Sequence, residues 1–207
     1  MPERRRPNAQ PVVALDATIV KKLLTELGRR LHRRGIHVDL YIVGGAAIAL
    51  SVDERRITAD IDAIFSDPDL VQHEAAALAR KYHLPNNWLN NRAAMFLPGR
   101  DDPGAVRLEV DGLTVSVASP QHVLAMKMAT FRPGKDQDDL ELLFQQLDIH
   151  TPDQAADIAL SVYGSDTVVL PNRQELLLSA RSILERIQTR KQPHRRAKRT
   201  ALPRQNE

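Results

Sequence analysis

Apolar residues recur every third or fourth position through Ile19, Val20, Leu23, Leu24, Leu27 and Leu31, a period that predicts an amphipathic helix. Asp16 stands where a side chain caps such a helix. Arg29, Arg30, Arg33 and Arg34 suit its C-terminal end, and Gly35 stops it. Val38 to Val43 then reads as a short buried strand ending in Gly44-Gly45. Ala46 to Val52 reads as the start of a helix, and Ala59 to Ser66 as a second strand closed by Asp67-Pro68. Leu70 to Tyr82 is helical in pattern, Leu84 to Asn91 reads as a loop carrying Trp88, and residues 99–104 form another loop. Val106, Leu108 and Val110 alternate with Arg107, Glu109 and Asp111. After the tight-turn pair Asp111-Gly112, Leu113, Val115 and Val117 alternate in the same way, so a hairpin is expected. Ser119-Pro120 opens a helix through Phe131, Pro133-Gly134 breaks it, and a further helix runs from Asp136 to Leu147. Thr151-Pro152, with Gln154 three residues after the cap, opens the next, and residues 171–191 hold the last.

This order predicts an α/β (α+β) fold, a mixed sheet flanked by helices and followed by a C-terminal helical part. The expected boundaries are a flexible basic N-terminus over residues 1–15, a core over 16–118, a helical part over 119–190 and a basic, disordered tail over 191–207. No internal repeat is seen. The longest apolar run, Tyr41 to Leu50, contains two glycines and is too short to cross a bilayer. With no secretory segment, a cytoplasmic protein without membrane attachment is expected. The absence of cysteine excludes disulfides, thiolate nucleophiles and zinc-cysteine sites. The net charge of +3 divides unevenly: +2 on residues 1–10 and +6 on residues 190–207, so residues 11–189 carry −5. A mildly acidic body with basic ends admits contact with nucleic acid through those ends.

Asp60 and Asp62 stand two apart in a predicted strand, where alternate residues share a face. Two carboxylates about 4 Å apart repel by roughly 4 kcal/mol at an effective dielectric of 20. Such a pair stays wet, shares a proton or binds a cation, and oxygen-only ligands favour magnesium or manganese. Gly44-Gly45 ends the preceding strand and leads into a helix, where bare backbone amides can approach phosphate oxygens. Arg56, able to neutralise phosphate charge, and Thr58, on the same strand face as Asp60, lie just upstream of the pair.

Tyr41-Ile-Val-Gly-Gly-Ala-Ala-Ile-Ala-Leu50 followed by Arg56-Ile-Thr-Ala-Asp-Ile-Asp62 resembles the glycine motif and Asp-x-Asp of the polymerase-β-like nucleotidyltransferases. The Arg-x-Thr-x-Asp-Ile-Asp form is similar to the AbiEii and MenT toxins of bacterial toxin–antitoxin systems. The likeness continues at Leu84-Pro-Asn-Asn-Trp-Leu-Asn90 and from Leu124-Ala-Met-Lys through Arg132 to Lys135-Asp-Gln-Asp-Asp-Leu140, and so covers about residues 38–147. It implies a nucleotidyltransferase fold in which Asp60 and Asp62 are catalytic metal ligands and Gly44, Gly45, Arg56, Thr58 and Lys127 bind the nucleoside triphosphate. Asp139 would be the acid of the last catalytic motif, with Asp136 one turn earlier. The third metal carboxylate would be Glu109, with Asp111 second. The chain departs from the pattern at Ala46, where many relatives offer a serine hydroxyl.

The resemblance further implies transfer of a nucleotide to RNA, at the tRNA 3′ end, a growth-inhibiting toxin's activity and a cognate antitoxin partner; some relatives are silenced by phosphorylation of a hydroxyl beside the metal aspartates, the position that Thr58 matches. Basic surface for RNA is expected from Arg29 to Arg34, Arg92, Arg100 and the tail. Two competing readings keep the fold. In one the acceptor is a protein hydroxyl or a small molecule such as an aminoglycoside; in the other the fold is an inactive binding module.

Overall fold

A computed structural model of the protein describes residues 14–164 and 167–191. The expected flexible N-terminus lies, but for its last two residues, outside them, as does the tail after Lys191. The chain divides into two compact units: residues 14–97 with 102–119, and residues 98–101 with 120–191. No helix of the described residues is long and apolar enough to cross a membrane.

The first unit is a five-stranded mixed sheet with helices. Its elements are α1 (Ala17–His32), β1 (Val38–Val43), α2 (Gly44–Ser51), β2 (Ile61–Phe65), α3 (Pro68–Tyr82), β3 (Leu89–Asn90), a 3₁₀ turn (Arg92–Phe96), β4 (Val106–Val110) and β5 (Leu113–Val117). The strand order is β3-β2-β1-β5-β4. β1 runs antiparallel to β2 and parallel to β5, β3 is parallel to β2, and β4 closes the hairpin with β5. Leu40 pairs with Phe65 and Val115, and Ile42 with Ala63 and Val117, so these side chains share one face, and all are buried. Burying one aliphatic side chain contributes about 1.5–3 kcal/mol, so this face supplies much of the unit's stability. The opposite face carries Asp39, Tyr41, Asp62, Ile64, Thr114, Ser116, Arg107 and Glu109, which are half-exposed or exposed. Here the sheet bears a groove of about 420 Å³ lined by Asp39, Tyr41, Ser66, Arg107, Thr114 and Ser116, among others.

Asp16 caps α1 by accepting from the Ile19 amide at 2.8 Å, and Gly28 lets the helix approach the hairpin turn. A Cβ there would lie 2.2 Å from the Asp111 carbonyl oxygen. Glu74 of α3, almost fully buried, accepts hydrogen bonds from Arg30 and Arg34 of α1. Burial alone would raise its pKa, but those two guanidiniums hold it below the ordinary carboxylate range.

The second unit is helical: α4 (Pro120–Ala129), α5 (Gln137–Gln146), α6 (Pro152–Tyr163) and α7 (Arg173–Lys191). Every residue of α4 from His122 to Met128 is buried, which makes it the unit's central helix, packed on α5 and α6. The Thr151 and Gln154 capping box forms as expected at the start of α6. Leu176, Ala180, Ile183 and Ile187 form the buried stripe of α7, at spacings of four, three and four. Arg186 and Arg190 of α7 reach Glu141 and Asp138 of α5.

The sheet and the flanking helices match the expected fold class. The differences are local. α2 begins at Gly44 rather than Ala46, and the second strand begins at Ile61 rather than Ala59. The segment read as a loop around Trp88 contains β3, with Trp88 buried and its indole N–H donated to the Ala75 carbonyl at 3.0 Å.

Candidate functional site

Two glycines shape the site in the first unit. Gly44 has φ +65, a left-handed backbone that side chains other than glycine's rarely permit, and a Cβ on it would lie 3.1 Å from Asp62 Oδ2. A Cβ on Gly45 would meet Thr58 Oγ1 at 2.8 Å and Cβ at 3.2 Å, with an Arg56 guanidinium nitrogen at 4.0 Å. The missing side chains therefore let Asp62, Thr58 and Arg56 close on the first turn of α2. Val43, the N-cap residue, makes no side-chain cap hydrogen bond, and the first turn holds no acid. That leaves a positive helix end against a carboxylate-bearing strand.

Asp62 lies within β2, opposite Val43 of β1 and beside Asn90 of β3. Asp60 sits in a bend just before the strand, so the expected two-residue strand spacing is not what aligns the acids. Asn90 does that: in register with Asp62 it shares that residue's face, and its side-chain amide donates to Asp60 Oδ2 at 3.4 Å. Both acids are half-exposed. Thr58 sits in an isolated bridge to Leu15, exchanging two backbone hydrogen bonds with it, and donates its hydroxyl to the Asp60 carbonyl at 3.0 Å. Arg56 donates to the Ile57 carbonyl.

The expected third carboxylate is corrected by the register. Glu109 pairs with Thr114, which pairs with Asp39, whereas Asp62 pairs with Val43. Glu109 is thus three strand positions across and four residues along from Asp62, about 14 Å and 13 Å in the two directions. Asp111, at the hairpin turn, lies beyond the same far end of β1. Neither can share an ion with Asp62. Among the described residues no group of three or more histidine, aspartate or glutamate side chains is placed to hold a metal.

An acid that the sequence reading passed over stands on the Asp62 face. Asp102 Oδ2 accepts from the Tyr41 hydroxyl at 2.7 Å and from the Ser119 amide at 2.8 Å, while Oδ1 accepts from the Gly104 amide. Burial, reinforced by the Asp102 carboxylate, pushes the Tyr41 phenol far above its ordinary range, so it stays a proton donor. In sequence Asp102 looks like part of an Asp-Pro-Gly turn, which hides its partnership with Tyr41. Asn90 had appeared only inside a motif, without a role.

Lys127 and Asp139 belong to the second unit and are bound to each other. The Lys127 ammonium lies 2.8 Å from Asp139 Oδ2 and 3.0 Å from Asp136 Oδ1, all three side chains being 10% exposed or less. Arg132 adds its guanidinium and its backbone N–H to Asp136. Burial works to raise the Asp136 pKa, but Arg132 and Lys127 together hold it below the ordinary carboxylate range.

No curated protein matches the chain. Among solved structures it is similar to an antigenic nucleotidyltransferase-like protein from Paracoccidioides brasiliensis, at 18% identity and a TM-score of 0.45, over 88% of this chain and 92% of that one. That likeness is too loose to carry an argument about the site. A family described as nucleotidyltransferase of unknown function (DUF6036) matches residues 20–167, well over half of the chain, from within α1 to beyond α6. The chain therefore belongs to this family of nucleotidyltransferases.

Proposed function

We propose that the protein is a metal-dependent enzyme that transfers a nucleoside monophosphate from a triphosphate to an RNA acceptor, the tRNA 3′ end, and acts as a growth-inhibiting toxin. The observation that carries the chemistry is the closure of Asp62 and Thr58 on Gly44 and Gly45 at the open end of α2. Bare helix amides suit an anionic chain of phosphates, and carboxylates beside them suit its cation. RNA as acceptor, tRNA and the toxin role are supported by the motif resemblance.

The residues present fit a hard divalent cation. Asp60 and Asp62 offer carboxylate oxygens, linked through the Asn90 amide, and the bare Gly44 leaves Asp62 Oδ2 uncrowded, where a Cβ would lie 3.1 Å from it. These two acids would hold magnesium or manganese, completed by phosphate and water oxygens. When bound, the cation neutralises charge developing on the reacting phosphate. The chain's own residues bind and orient the substrate. The first-turn amides of α2 donate to phosphate oxygens, Arg56 adds fixed positive charge, and Gly44 and Gly45 keep the approach clear. For Lys127 the geometry supports a positioning role inside the helical unit; a triphosphate-binding role rests on the resemblance.

Thr58 extends the proposal to regulation by a cognate antitoxin. Its hydroxyl packs against Gly45 and bonds the Asp60 backbone, so a phosphate there would occupy the glycine approach and add up to about two negative charges beside the acids. Mass spectrometry of protein co-expressed with its antitoxin is expected to find phosphate on Thr58.

The test of the central reading is direct. The protein is incubated with magnesium, each labelled nucleoside triphosphate in turn, and a panel of tRNA, protein and aminoglycoside acceptors. Label is expected in tRNA with the wild type and in nothing with Asp60→Ala. Label in another acceptor moves the substrate class, equal labelling by Asp60→Ala removes the metal assignment, and failure to bind any triphosphate leaves a binding module.

A further inference from the structure

The outer strand β4 ends the sheet, and among the described residues its free edge pairs with no strand. The opposite edge, β3, is two residues long and offers little to a partner. β4 is five residues long, and such an edge exposes a row of backbone donors and acceptors that templates further pairing. Proteins commonly blunt such edges with charged side chains, lysine above all, with proline or with a bulge. This edge instead reads Val106-Arg107-Leu108-Glu109-Val110, with two charges of opposite sign placed symmetrically about Leu108.

That symmetry has a geometric consequence. If two copies of β4 pair antiparallel about a twofold axis at Leu108, Arg107 of each copy stands opposite Glu109 of the other. Val106 then stands opposite Val110, and Leu108 opposite itself. Arg107 and Glu109 share the sheet's open face, where both are exposed, and Val106, Leu108 and Val110 share the other. Val106 is 51% exposed although it faces the apolar side, and Leu108 and Val110 are half-exposed. A parallel pairing would put Arg107 against Arg107 and Glu109 against Glu109, and a one-residue slip would turn apolar side chains to the polar face. Direction and register are therefore both specified by five residues.

We propose that a second copy of this chain pairs with β4, joining two five-stranded sheets through an antiparallel β4–β4 contact. One strand pair is a small contact, in the class of interfaces below about 1,200 Å², so the dimer is weak and concentration-dependent.

Charge reversal tests it on the full chain by analytical ultracentrifugation. The wild type is expected to dimerise progressively as its concentration is raised, as a small, weak interface does. Arg107→Glu alone, or Glu109→Arg alone, turns two attractive cross-strand pairs into two repulsive ones and is expected to weaken the dimer about tenfold or more. Mixing the two single variants restores complementary pairs and is expected to restore a heterodimer, and the double variant R107E/E109R a homodimer. A wild type that stays monomeric throughout, a dimer indifferent to both single reversals, or a failure of both restorations would overturn the proposal.

Discussion

Two pairs of aspartates, one in each unit, have met opposite fates. Asp136 and Asp139, at and beside the start of α5, are buried, and the cations they need are built in: Lys127 bridges both and Arg132 clamps Asp136. Asp60 and Asp62 are half-exposed and abut a glycine turn whose backbone is kept bare. The first pair is an internal salt, a way of holding α4 to α5. The second is an open acid face beside a positive helix end. Acid spacing in sequence is nearly the same in the two cases. What separates a structural pair from a candidate reactive one here is whether the fold buries it among cations or leaves it half-exposed beside bare helix amides.

The comparison breaks most visibly at Asp62. Asp62→Ala is expected to reduce nucleotide transfer by about a thousandfold or more, because loss of a metal ligand removes several kcal/mol of transition-state stabilisation. Stability should change far less than activity, since Asp62 is half-exposed. Labelled-triphosphate turnover and urea unfolding, run on the same preparation, check both halves.

The buried pair should behave in the reverse way. Lys127→Met leaves two buried carboxylates short of a cation, and breaking a buried ion pair from one side costs about 3–5 kcal/mol. Replacing Lys127 and Asp139 together by apolar residues should recover much of that, because the desolvation penalty leaves with the charges. Urea midpoints of the single and double variants read this out. A Lys127→Met protein that unfolds like the wild type yet transfers no nucleotide would move Lys127 from the internal salt to the triphosphate.

A smaller effect is expected at the turn itself. Gly45→Ala drives a Cβ to 2.8 Å from Thr58 Oγ1, so the threonine must move. Overpacking of this kind costs roughly 1–3 kcal/mol, and Thr58→Ala in the same chain should return most of it. If the turn serves phosphate, the KM for triphosphate rises in Gly45→Ala, and thermal unfolding with and without nucleotide separates that from simple destabilisation.

Much of this was legible from local chemistry. The Asp16 cap, the Asp111-Gly112 hairpin, the Thr151 and Gln154 box and the buried run of β1 each carry their instruction within a few residues, and each formed. What stayed illegible depends on partners distant in sequence. Two residues of β3 show no period, yet they align the acids through Asn90. Glu109 looked like a ligand because it follows the acid pair in an alternating strand, but chain order does not reveal that β5 lies between β4 and β1. Asp136 could be placed on the face of Asp139, but not against Lys127 on another helix.

The smallest effect distinguishes the two pairs by acid alone. The Asp136 pKa is depressed in the folded protein below the ordinary aspartate value of about 3.9 that holds in an unfolded chain. The unfolded state therefore binds the proton first as the pH drops. Asp136 contributes its full stabilisation above that unfolded value and loses it as the pH falls through the lower folded one. One proton limits the slope to about 1.4 kcal/mol per pH unit within that window. Asp136→Asn should flatten this part of a stability profile measured from pH 6 to pH 2.5. A slope would remain from Glu74, which is depressed for the same reason by Arg30 and Arg34. A profile for Asp136→Asn superimposable on the wild type would mean that the clamp of Arg132 and Lys127 does not favour the charged acid, and the contrast between a buried, clamped pair and a half-exposed one would lose its physical basis.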